Sequence, residues 1–177
     1  MKILRKLKEK NSLKIQELRA TPNTEDEIKV IERLKDRARR KGITVIDEPE
    51  NTSGGGYMRA GWKWEDIPKY VIKKHGYDKS IPDELVGKPI ISTIEGNKGK
   101  PYILAHELGH AAGKSLRKTS GPNSTDSGLR RRAEELRANI NGYKILKEEG
   151  ADKETLKNAR KGYYRTSLNI IIGKKPR

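Results

Sequence analysis

One segment governs what this chain can fold into. Residues 101–113 read PYILAHELGHAAG and carry a single formally charged side chain, Glu107, in a chain where 36% of residues are charged. Ile103, Leu104, Leu108 and Ala111 recur on one face at helical spacing. Ala105, Gly109 and Gly113 form a row of small residues four apart, which lets a second helix approach closely. Gly109 costs roughly 1 kcal/mol of helix propensity relative to Ala, and a close helix contact or a ligand pocket explains its presence. The segment is an unusually apolar, small-residue helix within the basic C-terminal part of the chain.

Apolar residues are scarce in the chain as a whole. The chain has 14 Leu, 18 Ile and 4 Val among 177 residues, no Phe, and a formal net charge of +16. That aliphatic fraction lies near the roughly 20% level at which high net charge begins to suggest disorder, so a large, richly packed core is excluded. The length suits one ordinary domain. Without Cys there are no disulfides, thiolate metal sites or cysteine nucleophile, and any metal has to use His and carboxylates. No stretch approaches the roughly 18 apolar residues of a membrane span. The start, MKILRKLKEKNSLK, is too charged for a signal peptide, whose apolar stretch runs about 7 to 15 residues. The expectation is a cytoplasmic protein without membrane contact.

The charge is unevenly placed: +7 over residues 1–42, −1 over 43–99 and +10 over 100–177. A uniformly basic nucleic-acid module would keep its positive field throughout, whereas here the basic residues follow the segments that read as helices. Ile3, Leu4, Leu7, Ile15 and Leu18 have rough helical spacing. Thr24 with Glu27 forms a capping box opening a helix with Ile28, Ile31, Leu34 and Ala38 on one face, stopped by Gly42. Residues 43–47 read as a strand, Ser53 to Gly56 as a flexible connection, and Trp62 and Trp64 as core aromatics alternating in a strand-like segment. A short helix from Asp66 ends near His75, where an imidazole suits the helix dipole and is read as structural. A strand over 89–94 precedes the apolar helix. A long helix over 129–149 and a last one capped by Asp152, through Leu156, Ala159, Tyr163 and Ile170, complete an α+β pattern.

The chain has only three His, and two of them, His106 and His110, stand one helical turn apart, close enough to hold one ion. Glu107, one residue on from the first, can reach a water in an open coordination position and act as general base. A random chain of this composition contains some HExxH in about half a percent of cases, so context decides. The context is AEELRAN over residues 133–139. Glu135 is the expected third ligand because Asn139, one turn later, can accept the second ring N–H of a ligand histidine and fix its tautomer, with Glu134 as the alternative. Zinc suits such a donor set. The metzincin pattern fails, since its third His would fall at Leu116, and neither Gly-Lys pair has a phosphate-loop frame.

Together, Tyr102 to Gly113 and Glu135-Leu136-Arg137-Ala138-Asn139 resemble the ImmA/IrrE type of small zinc metallopeptidase, over about residues 89–149. The resemblance implies His106, His110 and Glu135 as zinc ligands and Glu107 as base. It also implies that Ile90, Ile91, Ser92, Thr93 and Ile94 form the sheet edge along which a protein or peptide substrate lies extended. An aromatic-Ala pair common in the family after the Asn is replaced by Ile140-Asn141-Gly142, and no helix-turn-helix domain is evident. The expected organisation is a basic helical segment over 1–42, a zincin-like catalytic domain over 43–172 and a basic tail over 173–177. Tyr143, Tyr163 and Tyr164 are the candidates for stabilising the oxyanion. The rival expectation is a basic protein that binds nucleic acid or an acidic partner through its basic helices and holds only a structural metal.

Overall fold

The computed structural model describes residues 22–48, 56–66, 81–94, 100–113 and 128–171. The expected helices over 3–18 and 67–75, His75, the Gly-rich connection at 53–55 and the tail at 173–177 lie outside the described residues. Within them, four α-helices accompany one three-stranded mixed sheet. No described helix is long and apolar enough to cross a membrane.

Helix α1, Glu25–Arg40, begins as its sequence dictates. The Thr24 hydroxyl accepts from the Glu27 amide at 3.2 Å, and the Glu27 carboxylate accepts from the Thr24 amide at 3.1 Å. Arg37, Arg39 and Arg40 occupy its last turn, where the dipole favours cations, and Gly42, at φ 66, turns the chain into β1, Thr44–Glu48. The buried stripe is Val30, Leu34 and Ala38, so the expected face is shifted: Ile28 is exposed and Ile31 only partly covered.

Strand β2, Gly56–Met58, and β3, Ile90–Ile94, complete the sheet in the order β1-β3-β2. β3 runs parallel to β1 along its whole length and antiparallel to β2 through Ile90, Ile91 and Ser92. This corrects the expectation that Ile90, Ile91, Ser92, Thr93 and Ile94 form an open edge: they are the central strand. The physical reason lies in the run itself. Ile90 to Thr93 are all buried, so both faces of the strand are covered, and such a strand lacks the alternation of buried and exposed positions that a half-exposed one shows.

The tryptophans are also placed differently from the strand-like expectation. Gly61, at φ 82, breaks the extended chain, and its amide bonds the Gly87 carbonyl at 2.6 Å. Trp62 lies beyond that turn, and Trp64 opens a short 3₁₀ turn. Trp62 nevertheless enters a small second core with Ile81 and Ile90, and its indole N–H donates to the Lys88 carbonyl at 2.7 Å.

The apolar segment forms α2, Pro101–Ala112, with Pro101 at its first turn. Helix α3, Gly128–Glu148, packs against it, and α4, Lys153–Ile171, follows, its N-terminus capped by the Asp152 carboxylate, which accepts from the Thr155 amide at 2.6 Å. The main core joins α1 to Ile91 of β3, Leu104 and Leu108 of α2, Leu146 of α3 and Ala159 of α4. Small residues let α2 and α3 meet at backbone distance. A Cβ on Gly142 would lie 2.7 Å from the Ala105 carbonyl oxygen, and one on Gly109 would overlap that of Ala138. Gly109→Ala is therefore expected to destabilise the protein by about 1–3 kcal/mol, despite the roughly 1 kcal/mol that Ala gains in helix propensity. The urea midpoint measures this, and an unchanged or raised midpoint would show that the two backbones do not touch there.

Candidate metal centre

The close approach of α2 and α3 determines which side chains meet. On α2, His106 and His110 face the same side, with ring centroids 4.7 Å apart and Nε2 atoms 3.1 Å apart. From α3, one oxygen of Glu135 reaches 3.3 Å from His106 Nε2 and 3.6 Å from His110 Nε2. These residues form a group able to hold a metal ion, with one donor atom from each lying within 4.8 Å of the others. Tetrahedral zinc, with bonds of about 2.0–2.1 Å, needs its donors about 3.3 Å apart. The observed spacings of 3.1, 3.3 and 3.6 Å straddle that value.

The donors are also oriented. Asn139, buried one turn beyond Glu135, brings its side-chain oxygen to 2.8 Å from His106 Nδ1. With Nδ1–H donating to that oxygen, Nε2 is the ring nitrogen that faces His110 and Glu135. Asn139 in turn donates to the Tyr163 carbonyl at 3.5 Å, so α4 steadies the centre from behind. Asn141 donates to the Gly109 carbonyl at 3.2 Å, an additional tie between α2 and α3.

Electrostatics follow from this crowding. Burial alone would raise the Glu135 carboxyl, but hydrogen bonds from His106 and His110 outweigh it and hold it well below the usual carboxylate range. Burial alone would lower His106, yet the hydrogen bond to Glu135 and the charges of Glu107 and Glu135 raise it. Glu107 is buried, and its carboxyl is pushed up by desolvation against the pull of both histidines. The glutamate next to the ligand, Glu134, is buried on another side of α3 and lies 3.5 Å from Arg59. Of the two candidate carboxylates, Glu135 thus meets the histidines.

The tyrosine candidates fare worse. Tyr163 spends its hydroxyl proton on the Tyr102 carbonyl at 2.7 Å, and burial raises its pKa well above 10. Tyr143 lies beneath Lys147 and Arg160, with cations 5.3 and 5.2 Å from its ring centroid. The Tyr164 side chain lies outside the described residues. Arg59 escaped the sequence reading, because nothing in its spacing links it to Glu134; the only available signal was that a second buried glutamate needs a countercharge. Compared with protein-family models, curated proteins and solved structures, the chain matches none.

The shifted groups predict opposite pH responses with and without metal. The raised His106 stabilises the metal-free fold fully below its ordinary value of 6.5 and loses that contribution as pH rises through its folded value. The depressed Glu135 contributes above its ordinary 4.5 and loses that contribution as pH falls through its folded value. The metal-free pair is therefore strongest between those two pH values. Metal has to displace the His106 proton, so its affinity should rise about tenfold per pH unit while that proton is bound. Melting temperatures with zinc and with chelator should diverge as pH rises from about 5 to 8.5; curves that stay parallel would mean that no proton is exchanged for metal.

Proposed function

We propose that this chain is a zinc-dependent endopeptidase in which Glu107 is the general base. One observation carries the reading: ring nitrogens of His106 and His110 and a carboxylate oxygen of Glu135 converge at 3.1–3.6 Å, the spacing of donors around one tetrahedral ion. The likeness of the two motifs to the ImmA/IrrE metallopeptidases supports it, as does the absence of Cys, which leaves a nitrogen and oxygen donor set suited to zinc. Three protein ligands leave a coordination position open, as catalytic sites do and closed structural sites do not. This counts against a purely structural metal.

A zinc ion held by these residues supplies Lewis acidity toward a peptide carbonyl and toward water. Glu107 accepts the proton of the attacking water and passes it to the departing amine. Its raised pKa places it closer to neutrality than an exposed carboxylate, which suits a group that both takes and gives a proton. Asn139 keeps His106 in the tautomer that directs Nε2 inward. With β3 central, the strand that offers an outer edge near α2 is β2, and an extended peptide would add beside Gly56–Met58 through main-chain hydrogen bonds.

Metal analysis tests the assignment. The wild-type chain should bind one zinc, His106→Ala and Glu135→Ala should lose it, and Glu134→Gln should keep it. Zinc retained in Glu135→Ala would overturn the ligand set. Zinc bound as expected without cleavage of any unfolded protein substrate would overturn the peptidase reading alone.

A further inference from the structure

The outer faces of α3 and α4 hold cations that no described carboxylate balances. The acids of these helices and of the turn between them whose partners are seen are all engaged elsewhere. Glu134 lies against Arg59, Glu135 meets the histidines, Glu148 and Glu149 bond Arg37 at 2.7 and 2.9 Å, and Glu154 pairs with Lys157 at 2.9 Å. Lys144, Lys147, Lys153, Arg160 and Lys161 are exposed and paired with none of these acids, and three of them cluster about one ring. Lys147 of α3 and Arg160 of α4 both converge on the Tyr143 ring, at 5.3 and 5.2 Å from its centroid. Their charged ends are therefore no further apart than about one Debye length at 0.1 M salt, roughly 10 Å, and they repel each other unless an anion intervenes. Lys144 stands one residue beyond Tyr143, and Ile140, 58% exposed, one turn before it.

We propose that this face, formed by Lys144, Lys147 and Arg160 around Tyr143, binds the phosphate backbone of nucleic acid. The observation is the convergence of cations from two helices on one ring, with every described acid of those helices committed elsewhere. The +10 charge of residues 100–177 supplies long-range attraction for a polyanion. A folded acidic protein fits less well, because an interface of that kind needs an apolar centre and the face offers only Ile140 beside the half-buried Tyr143. Backbone binding needs none. The surface contains none of the metal-site residues, so the proposal stands or falls separately from peptidase activity.

The test uses the full zinc-loaded chain and fluorescein-labelled 20-mer DNA of two unrelated sequences, single-stranded and duplex, read by anisotropy across a salt series. The triple variant Lys144→Gln/Lys147→Gln/Arg160→Gln should bind at least about tenfold more weakly, with the salt slope for duplex reduced by about 2 to 3. The control triple Lys29→Gln/Lys35→Gln/Arg39→Gln removes the same charge from α1 cations that already face Asp26, Glu32 and Asp36; it should change affinity less than threefold. Unchanged melting temperature and zinc content in both variants establish that folding is intact. Equal losses in the two triples would overturn the proposal in favour of diffuse charge, and so would wild-type chain that binds polyglutamate of similar length as tightly as DNA.

Discussion

Glu107→Gln is expected to abolish peptide hydrolysis, leave zinc on the chain, and raise the melting temperature of the metal-free protein. The stability gain follows from burial. Glu107 is buried, and its carboxyl is raised by desolvation, so the folded state holds its proton more tightly than the unfolded chain does. Stability is then lost as pH climbs from the ordinary 4.5 through the folded value, and the deficit persists at neutral pH. Each tenfold by which the fold weakens this acid costs about 1.4 kcal/mol, or about 3–6 °C in a domain of this size. Gln keeps the shape without the charge, so the gain should be present at pH 7 and vanish below about pH 4. Catalysis should fall by more than about a thousandfold, because Gln cannot accept the water's proton. Scanning calorimetry at both pH values, zinc analysis and a cleavage assay read the three effects. A variant less stable at neutral pH would mean that Glu107 is held ionised by contacts the fold depends on, and wild-type hydrolysis in it would remove the residue from the chemistry.

That combination of local cost and function explains which parts of the molecule could be read from the chain. The cluster of His106, His110 and Glu135 was legible because helical spacing alone puts His106 and His110 on one face, and because Asn139 and Glu135, four apart, share a face in the same way. The capping box at Thr24 and Glu27 and the cap at Asp152 were legible for a similar reason: each is complete within four residues. What escaped depends on contacts distant in sequence. β3 was expected at an edge, although the rule that covered strands lack alternation already argued for the centre. The shift of α1's buried face from Ile28 to Val30 depends on where the sheet and α2 lie. The pairing of Arg59 with Glu134, 75 residues apart, has no local signature at all.

The most destabilising single change is expected at another such long-range contact, between Glu27 and Lys100. The Lys100 ammonium lies 3.2 Å from the Glu27 carboxylate, and the two side chains are only 5% and 8% exposed. Glu27 also closes the capping box of α1, and Lys100 also donates to the Pro22 carbonyl at 3.4 Å while standing just ahead of α2. Glu27→Ala leaves that ammonium buried without its carboxylate, a change that typically costs about 3–5 kcal/mol. Against a total stability of about 5–15 kcal/mol, this brings a chain with so small a core close to unfolding. Removing both charges is different: Glu27→Leu/Lys100→Met should recover most of the loss, because the desolvation of both ions disappears with their attraction. Zinc should recover much of it by another route, since ligand at about a thousand times its Kd stabilises the folded state by about 4 kcal/mol. Urea midpoints for Glu27→Leu, Lys100→Met and the double, each with zinc and with chelator, form the cycle, with Glu27→Ala measured beside them. A cost below about 1 kcal/mol for Glu27→Ala would place the pair in solvent, and a double variant no better than the single would show that the capping role of Glu27, rather than its charge, holds α1 against α2.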